Sequence, residues 1–270
     1  MTSTAPAEVT STLEHRSKLG WAVQDALTVA QRNLVALFRV PTTLVFSTVQ
    51  PVIFVLMFRY VFGGSITVPG FRYVDYLMAG IFVQTVTFGS INTGIGLAED
   101  LSKGLIERFR SLAMARSAVL AGRTLADAVR NVIVIVLMVS VGFLVGFRVH
   151  TNVASFLGAV LLMVLFGFAM SWVMALIGLS TGNAEAAQAA AFPMMAVLVF
   201  ASNAFVSTRR MPGPLRAYAE HQPVTAAVDG VRALLNGGPL AGKVLGSAAW
   251  SLAIVAVFAP LAVRRYRRAA

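Results

Sequence analysis

Residues 99–130 read EDLSKGLIERFRSLAMARSAVLAGRTLADAVR, a charged stretch that lies between two long apolar runs. It holds six of the chain's 22 basic residues and four of its 11 acidic residues. On a helix, charged side chains of this stretch fall on one side, namely Asp100, Lys103, Glu107 and Arg110. Apolar side chains fall on roughly the opposite side, namely Leu101, Leu105, Phe109 and Leu112. The pattern predicts an amphipathic helix on the cytoplasmic surface that a soluble partner grips, although a solvated loop that only sets orientation gives the same pattern.

The overall composition is that of a membrane protein. The chain is 57% hydrophobic and 12% charged, with a mean hydropathy of +0.77, whereas a soluble domain is roughly 25% charged. We therefore expect an all-α polytopic fold, because helices satisfy their own backbone hydrogen bonds in lipid. The net charge of +11 is spread between apolar runs rather than over one face, which favours the positive-inside rule over nucleic-acid binding. The absence of cysteine excludes disulfides and thiol chemistry.

Hydropathy and turn residues divide the chain into a polar cytoplasmic tail, residues 1–20, and a single transmembrane domain, residues 21–270. Residues 21–40 predict an amphipathic helix in the membrane interface, although a helix packed against protein explains the pattern equally well. Six spans are predicted, at about residues 41–58, 76–98, 131–147, 154–179, 186–206 and 244–263. Between the last two spans, prolines and a glycine pair predict a hairpin of two short helices, at about residues 214–219 and 224–235. Its mixed polarity suits the membrane boundary, or a position further in where protein shields it.

Six spans place both termini on one side of the membrane. On that side we count 14 lysine and arginine residues, against 8 on the other side. This bias predicts a multi-pass protein whose termini and residues 99–130 are cytoplasmic.

Several kinds of chemistry are missing from the sequence. It has no G-x-x-x-x-G-K-[ST] phosphate loop, and its three histidines, His15, His150 and His221, are too dispersed to predict a metal site. The predicted spans contain almost no ionisable groups, which argues against a proton- or sodium-driven carrier. We therefore expect no catalytic residue, no metal and an energy source outside the chain, with an apolar or amphiphilic cargo.

Two stretches resemble a known family. One runs through residues 75–127 and includes YLMAGIFVQTVTFGS and GLAEDLSKGLIERFRSLAMARSAVLAGRTLAD. The other runs through residues 190–238 and includes FPMMAVLVFASNAFVSTRRMPGPLRAYAEHQPVTAAVDGVRALLNGG. Together they cover about 100 residues. They resemble the membrane subunit of type-2 ABC exporters, and most closely the daunorubicin-resistance and related lipid or antibiotic export permeases of bacteria.

The resemblance implies a helix that couples this chain to a separate ABC ATPase, which would carry the ATP and magnesium, so that no cofactor is expected here. Its residues are Glu99, Asp100, Leu101, Lys103, Leu105, Glu107, Arg108, Phe109 and Arg110. Residues 110–116 read RSLAMAR, so Ala113 stands where the family commonly has a helix-ending proline. The resemblance also implies an external hairpin, marked by His221, Pro223, Asp229 and Arg232. It further implies a second permease chain, identical or related, in the bacterial plasma membrane.

The substrate pathway is a hypothesis at this point. Polar and aromatic residues in the predicted second and fifth spans are candidates to line it between two chains, namely Phe88, Asn92, Asn203 and Phe205. Packing within one chain explains each of these residues as well. Three functions are open: an ATP-driven export permease, a self-sufficient secondary multidrug carrier, and a scaffold or membrane enzyme.

Overall fold

A computed structural model describes residues 31, 41–61, 63, 70, 72–104 and 116–269. These ranges form helices and turns, without a β-strand among them. The predicted tail at residues 1–20 and all but one residue of the predicted helix at residues 21–40 lie outside the described part of the chain. The same holds for residues 105–115.

The helices described here are numbered in chain order. They are α1 (Pro41–Leu56), α2 (Tyr73–Gly89), α3 (Ile91–Ser102), α4 (Arg116–Leu144), α5 (Val153–Thr181), α6 (Ala184–Phe200), α7 (Gly213–His221), α8 (Pro223–Asn236) and α9 (Leu240–Ala269). A π-helical turn, Met57–Val61, extends α1, and a 3-10 turn, Thr208–Arg210, precedes α7.

Within the described ranges, four helical segments are long and apolar enough to cross a membrane. They are Tyr73–Ser102, which joins α2 and α3, and Gly122–Leu144, Val153–Thr181 and Leu240–Arg268. Two shorter apolar helices, Thr48–Val61 and Ala184–Phe200, fall at the predicted first and fifth spans. The multi-pass, all-helical class is therefore confirmed for the described residues, while the count of six spans stays a prediction.

Cap residues in the sequence set several helix ends. Asn152 begins α5 by accepting a hydrogen bond from the Ser155 N–H at 2.8 Å. Gly182, with φ of 66°, ends α5 in the left-handed conformation that glycine adopts without strain. Gln222 begins α8 by accepting from the Val224 N–H at 2.9 Å. These caps separate α5 from α6 and α7 from α8.

Two helices have bounds that differ from the spans predicted there. The third span is predicted to begin at residue 131, whereas α4 begins at Arg116 and carries Arg123, Asp127 and Arg130 on one helical face, where they contact α2 and α3. The fifth span was expected to reach residue 206, but α6 ends at Phe200. There the Ser202 hydroxyl donates to the Val199 carbonyl and accepts from the Ala204 N–H, which turns the chain.

The core forms where α2, α3, α5 and α8 cross. Gly94 of α3 and Gly178 of α5 bring two backbones into contact. A Cβ atom at Gly94 would lie 2.6 Å from the Met174 carbonyl oxygen, and one at Gly178 would collide with the Gly94 carbonyl oxygen. Small residues at a crossing allow such close approach in a membrane, where packing holds helices together. This contact fixes α3 against α5. Because α3 ends at Ser102, the contact also fixes the beginning of the charged stretch at residues 99–130, which we call the charged loop.

Candidate functional site

The two helices that flank the charged loop are joined at its base. Arg123 of α4 forms an ion pair with Asp100 of α3, and its guanidinium group lies over Gly96, where a Cβ atom has no room. Both charged side chains are largely buried, at 21% and 15% exposure. At the end of α3, Lys103 pairs with Glu99 at 3.1 Å in solvent. The buried pair therefore joins the C-terminal part of α3 to the N-terminal part of α4.

A second polar contact joins the same helices one to two turns deeper. The Asp127 carboxylate accepts a hydrogen bond from the Thr93 hydroxyl and pairs with Arg130 at 3.1 Å. Arg130 also donates from Nη2 to the Gly89 carbonyl oxygen at 2.6 Å. Asp127 and Arg130 are 9% and 7% exposed, so the two charges are almost removed from solvent and satisfied by each other.

The Gly89 carbonyl is available because the helix is irregular at Ser90, between α2 and α3. The Thr93 N–H donates to Ser90, three residues back, instead of to Gly89. The Gly89 oxygen accepts instead from Arg130 and, at 3.2 Å, from the Asn92 amide. A shift to three-residue hydrogen bonds in mid-helix is typical of a hinge. Arg130 thus links α4 to the irregular point of the helix in front of the loop.

The predicted coupling residues are described only in part. Glu99, Asp100, Leu101 and Lys103 lie at the end of α3, and Leu101 packs against a buried cluster formed by Leu97, Trp172 and Tyr266 with their neighbours. The other predicted coupling residues lie outside the described part of the chain: Leu105, Glu107, Arg108, Phe109 and Arg110. The described apolar face of this stretch therefore rests on α5 and α9.

The four predicted pathway residues do not lie together in the chain. Phe88 and Asn92 line a cavity of ≈ 100 Å³ between α1, α2, α3 and α4, and the ring centroids of Phe88 and Phe192 are 5.6 Å apart. Phe205 lies elsewhere, stacked on Phe58 with ring centroids 4.6 Å apart. Asn203 belongs to the polar network of the hairpin, so the four residues do not surround one space within the chain.

The hairpin between α6 and α9 has the two predicted helices, α7 and α8, but α8 is buried in the protein. Arg232 of α8 lies with its guanidinium carbon 3.6 Å from the centre of the Tyr76 ring. It donates to the carbonyl oxygens of Asn203 at 3.1 Å and Tyr76 at 3.3 Å and pairs with Asp229 at 3.2 Å. Burial lowers the pKa of Arg232, while Tyr76 and Asp229 act in the opposite direction. This buried cation joins α8, α2 and the turn after α6.

Further hydrogen bonds complete this network. The Tyr76 hydroxyl donates to the Asn203 carbonyl oxygen at 2.9 Å, and the Asn203 amide donates to Asp229 at 2.6 Å. The other two predicted hairpin residues are peripheral. His221 is exposed at the end of α7, and Pro223 begins α8 beside an apolar groove of ≈ 580 Å³. The hairpin is therefore held by the interior residues Asp229 and Arg232.

Comparisons with known proteins agree with this architecture. Residues 24–236 match the ABC2_membrane family, described as ABC-2 type transporter. The chain belongs to the ABC-2 type transporter family. It is 35% identical over 246 residues to the daunorubicin resistance ABC transporter permease protein DrrB1 of Streptomyces coeruleorubidus. The aligned residues make up 91% of this chain and 87% of that protein. It is 28% identical over 255 residues to the probable doxorubicin resistance ABC transporter permease protein DrrC of Mycobacterium tuberculosis (strain CDC 1551 / Oshkosh), covering 92% and 90%.

Sequence reasoning missed part of the polar interior of this ABC-2 permease. The predicted spans leave out Asp75 and Asp127, yet both residues are buried within longer helical segments, Tyr73–Ser102 and Gly122–Leu144, that could cross a membrane. Each carboxylate is paired, Asp75 with Arg72 at 2.9 Å and Asp127 with Arg130. The spacing of Arg123, Asp127 and Arg130 along one helical face was the signal that could have placed them in the span.

Proposed function

We propose that this chain is the transmembrane permease subunit of an ATP-binding-cassette exporter. It moves a hydrophobic or amphiphilic substrate, such as a drug, an antibiotic or a lipid, out of a bacterial cell. Membership of the ABC-2 family and relatives named for daunorubicin and doxorubicin resistance support this proposal. A separate ATPase, which binds ATP and magnesium, supplies the energy, and two permease chains face each other in the plasma membrane.

The observation that carries the proposal is that two polar contacts join α3 to α4, the Asp100–Arg123 ion pair and the Thr93–Asp127 hydrogen bond. Asp100 and Arg123 join the helix ends at the loop, and Arg130 continues the connection to Gly89 at the irregular point of the helix. When the ATPases close, they push on residues 99–110, and the tied helices move as one unit. The displacement then reaches Ser90 and the cavity beside it. Differential binding energy in the ATPase pair biases the two membrane states.

In the proposed topology, six spans place both termini and residues 99–110 in the cytoplasm and the hairpin outside. The bias of lysine and arginine toward the terminal side supports this orientation. Accessibility labelling of a cysteine introduced at Glu107 tests it directly, since the natural chain has no cysteine. Labelling from outside intact cells contradicts the orientation.

A self-sufficient secondary carrier is the alternative, and the buried carboxylate of Asp127 is the observation in its favour. Its ion pair with Arg130 fits a structural role better, because a transported proton or sodium ion needs a carboxylate that is free to bind it. Gradient-driven transport by the purified chain, in liposomes without any ATPase, supports the carrier and contradicts the exporter.

The first prediction concerns docking of the ATPase. Glu107→Arg and Phe109→Asp are each expected to reduce the ATPase retained on co-purification by about tenfold, because the two residues represent the charged and apolar faces of the proposed coupling helix. Glu185→Arg, an equal charge reversal at an exposed position on the same proposed side, is the control and retains the ATPase. Unchanged retention in the two loop variants shows that the coupling helix lies elsewhere.

The second prediction concerns transmission through the base of the loop. Arg123→Asp places two carboxylates together at Asp100 and is expected to cost about 1–3 kcal/mol of local stability. Substrate-stimulated ATP hydrolysis should fall, while the ATPase still co-purifies. The exchange Asp100→Arg with Arg123→Asp restores the attraction without the packing over Gly96, so stimulation recovers in part. If the double variant is no better than the single one, the ion pair does not transmit the motion.

A further inference from the structure

Helix α9 is the most exposed of the four candidate spans. Only 17% of its most apolar window is buried, whereas the corresponding windows of the other three are 50–89% buried. Large apolar side chains are exposed along it, among them Val257 at 54% and Leu261 at 41%. The described helices therefore leave one side of α9 open to the acyl chains of the membrane.

This open side of α9 continues into a turn rich in arginine. Tyr266 is 2% exposed and lies in the buried cluster with Leu97 and Trp172, which fixes the rotation of the last turn. A helix turns by about 100° per residue, so the side opposite Tyr266 carries two of the arginines, in one row with the exposed apolar side chains. That row is Val257, Leu261, Arg264 and Arg268. The turn as a whole has four exposed arginines, namely Arg264, Arg265, Arg267 and Arg268.

These four arginines have no acidic partner among the described residues. Glu99 and Asp100, the carboxylates at the beginning of the charged loop, each pair with a basic side chain of that loop. Arg264 and Arg268 lie four residues apart on one helix face, where like charges repel each other. The negative end of the helix dipole offsets only part of this repulsion. An anion that contacts both guanidinium groups supplies the missing negative charge.

The order of side chains along the row selects the kind of anion. A guanidinium group forms two parallel hydrogen bonds with a phosphate, which makes arginine well suited to phosphate binding. Arg264 follows Leu261 within one helical turn, so the apolar part of the row meets the charged part there. A phospholipid has the same boundary between its acyl chains and its phosphate. A soluble anion contacts only the arginines, whereas a phospholipid also covers the exposed apolar side chains.

We infer that α9 binds an anionic phospholipid, with the phosphate on Arg264 and Arg268 and an acyl chain along Leu261 and Val257. The two flanking arginines add positive potential, which disfavours a headgroup that carries its own ammonium group. In the proposed orientation this end of α9 lies in the cytoplasmic leaflet. Tyr266, on the other side of the same turn, belongs to the cluster against which Leu101 of α3 packs. The bound lipid therefore stabilises the part of α9 that supports the beginning of the charged loop.

The test uses the full chain in phosphatidylcholine nanodiscs that contain a small fraction of a photoreactive lipid. Two probes carry the same diazirine-bearing acyl chain and differ only in the headgroup, which is phosphatidylglycerol or phosphatidylcholine. Mass spectrometry identifies the labelled peptides. We expect phosphatidylglycerol to label α9 about tenfold more than phosphatidylcholine, because the phosphate contacts add to the attraction of the flanking charges. Salt at about 1 M should reduce this preference, since it screens exposed charges.

Paired substitutions assign the preference to the row. Arg264→Gln with Arg268→Gln is expected to lower it by about fivefold, because only the flanking arginines remain. Arg264→Lys with Arg268→Lys keeps both charges and should keep most of the preference, which separates lost charge from altered folding. Arg209→Gln with Arg216→Gln is the matched control: it also removes two exposed positive charges, but before and within α7, and should label α9 like the wild type.

Equal labelling of wild-type α9 by the two probes overturns the inference, and so does an unchanged preference in the glutamine pair. Loss of the preference in the lysine pair as well shows that charge is not its cause. Weak labelling of α9 by both probes shows that a second copy of the chain covers the row, which also contradicts a lipid site. The measurement uses neither ATP nor the ATPase, so its failure leaves the proposed exporter standing, and failure of the docking experiment leaves the lipid site standing.

Discussion

Arg232→Met is expected to destabilise the protein by about 3–5 kcal/mol, because it removes a buried cation and leaves its ion-pair and hydrogen-bond partners without it. The guanidinium group donates to the carbonyl oxygens of Asn203 and Tyr76 and pairs with Asp229. Methionine has a similar length and fills the space, but it satisfies none of these acceptors. The thermal midpoint of the purified protein should fall steeply, and the yield of folded protein should fall with it.

Arg216→Met is the matched control, because Arg216 makes an ion pair of similar length in solvent. It contacts Glu220 at 2.7 Å on α7, and the two side chains are 47% and 37% exposed. An exposed pair contributes less than about 1 kcal/mol, so this variant should resemble the wild type. Adding Asp229→Asn to Arg232→Met should recover part of the loss, since it removes the charge left without its guanidinium partner. Equal midpoints for Arg232→Met and Arg216→Met contradict the structural role assigned to the network.

Hydropathy predicted α5 and α9 well, because a long uncharged run surrounded by lipid has few other solutions. Turn chemistry predicted the hairpin, since Pro223 and the glycine pair at Gly237 and Gly238 allow few alternatives to a short helix between them. Both signals are local, which is why a single sequence is enough to read them. The resemblance to type-2 ABC exporter subunits, drawn from residues 75–127 and 190–238, is confirmed by the family match.

What the sequence did not reveal depends on contacts between helices. Asp127 and Arg130 looked like loop residues, because a charge in lipid is costly until its partner is known. Their acceptance into α4 required Thr93 and Gly89 from another helix. The hairpin was expected at the membrane boundary, or further in where protein shields it. The shielded alternative describes α8, because the Tyr76 ring and the Asn203 carbonyl receive Arg232.

The same contrast between local patterns and contacts between helices applies to the candidate sites. The charged loop was visible as a pattern, yet its connection to Ser90 through Arg130 depends on which carbonyl the irregular helix leaves open. Gln84, in the predicted second span, is a polar residue of the kind that usually joins helices. Its burial without a hydrogen-bond partner among the described residues shows only in the structure.

Gly178→Ala is expected to separate α3 from α5 and to cost about 3 kcal/mol or more, because the new methyl group meets backbone rather than a flexible side chain. Its Cβ would collide with the Gly94 carbonyl oxygen, and Met174 of α5 also lies against Gly94, so α3 has to move away from α5 to make room. Gly246→Ala is the control: Gly246 also lies within a helix, but nothing lies within 4 Å of its added Cβ. That variant should gain up to about 1 kcal/mol from helix propensity.

Because Gly94 and Gly178 meet at one crossing, their alanine variants should not be additive. Once Gly178→Ala has moved the helices apart, Gly94→Ala finds the space already open and adds little. Thermal midpoints of both single variants and the double variant measure this coupling. Since α3 carries Asp100, the same separation should weaken substrate-stimulated ATP hydrolysis even at temperatures where the protein is folded. A Gly178→Ala protein with the stability of Gly246→Ala and full stimulation excludes this crossing as the support of the coupling loop.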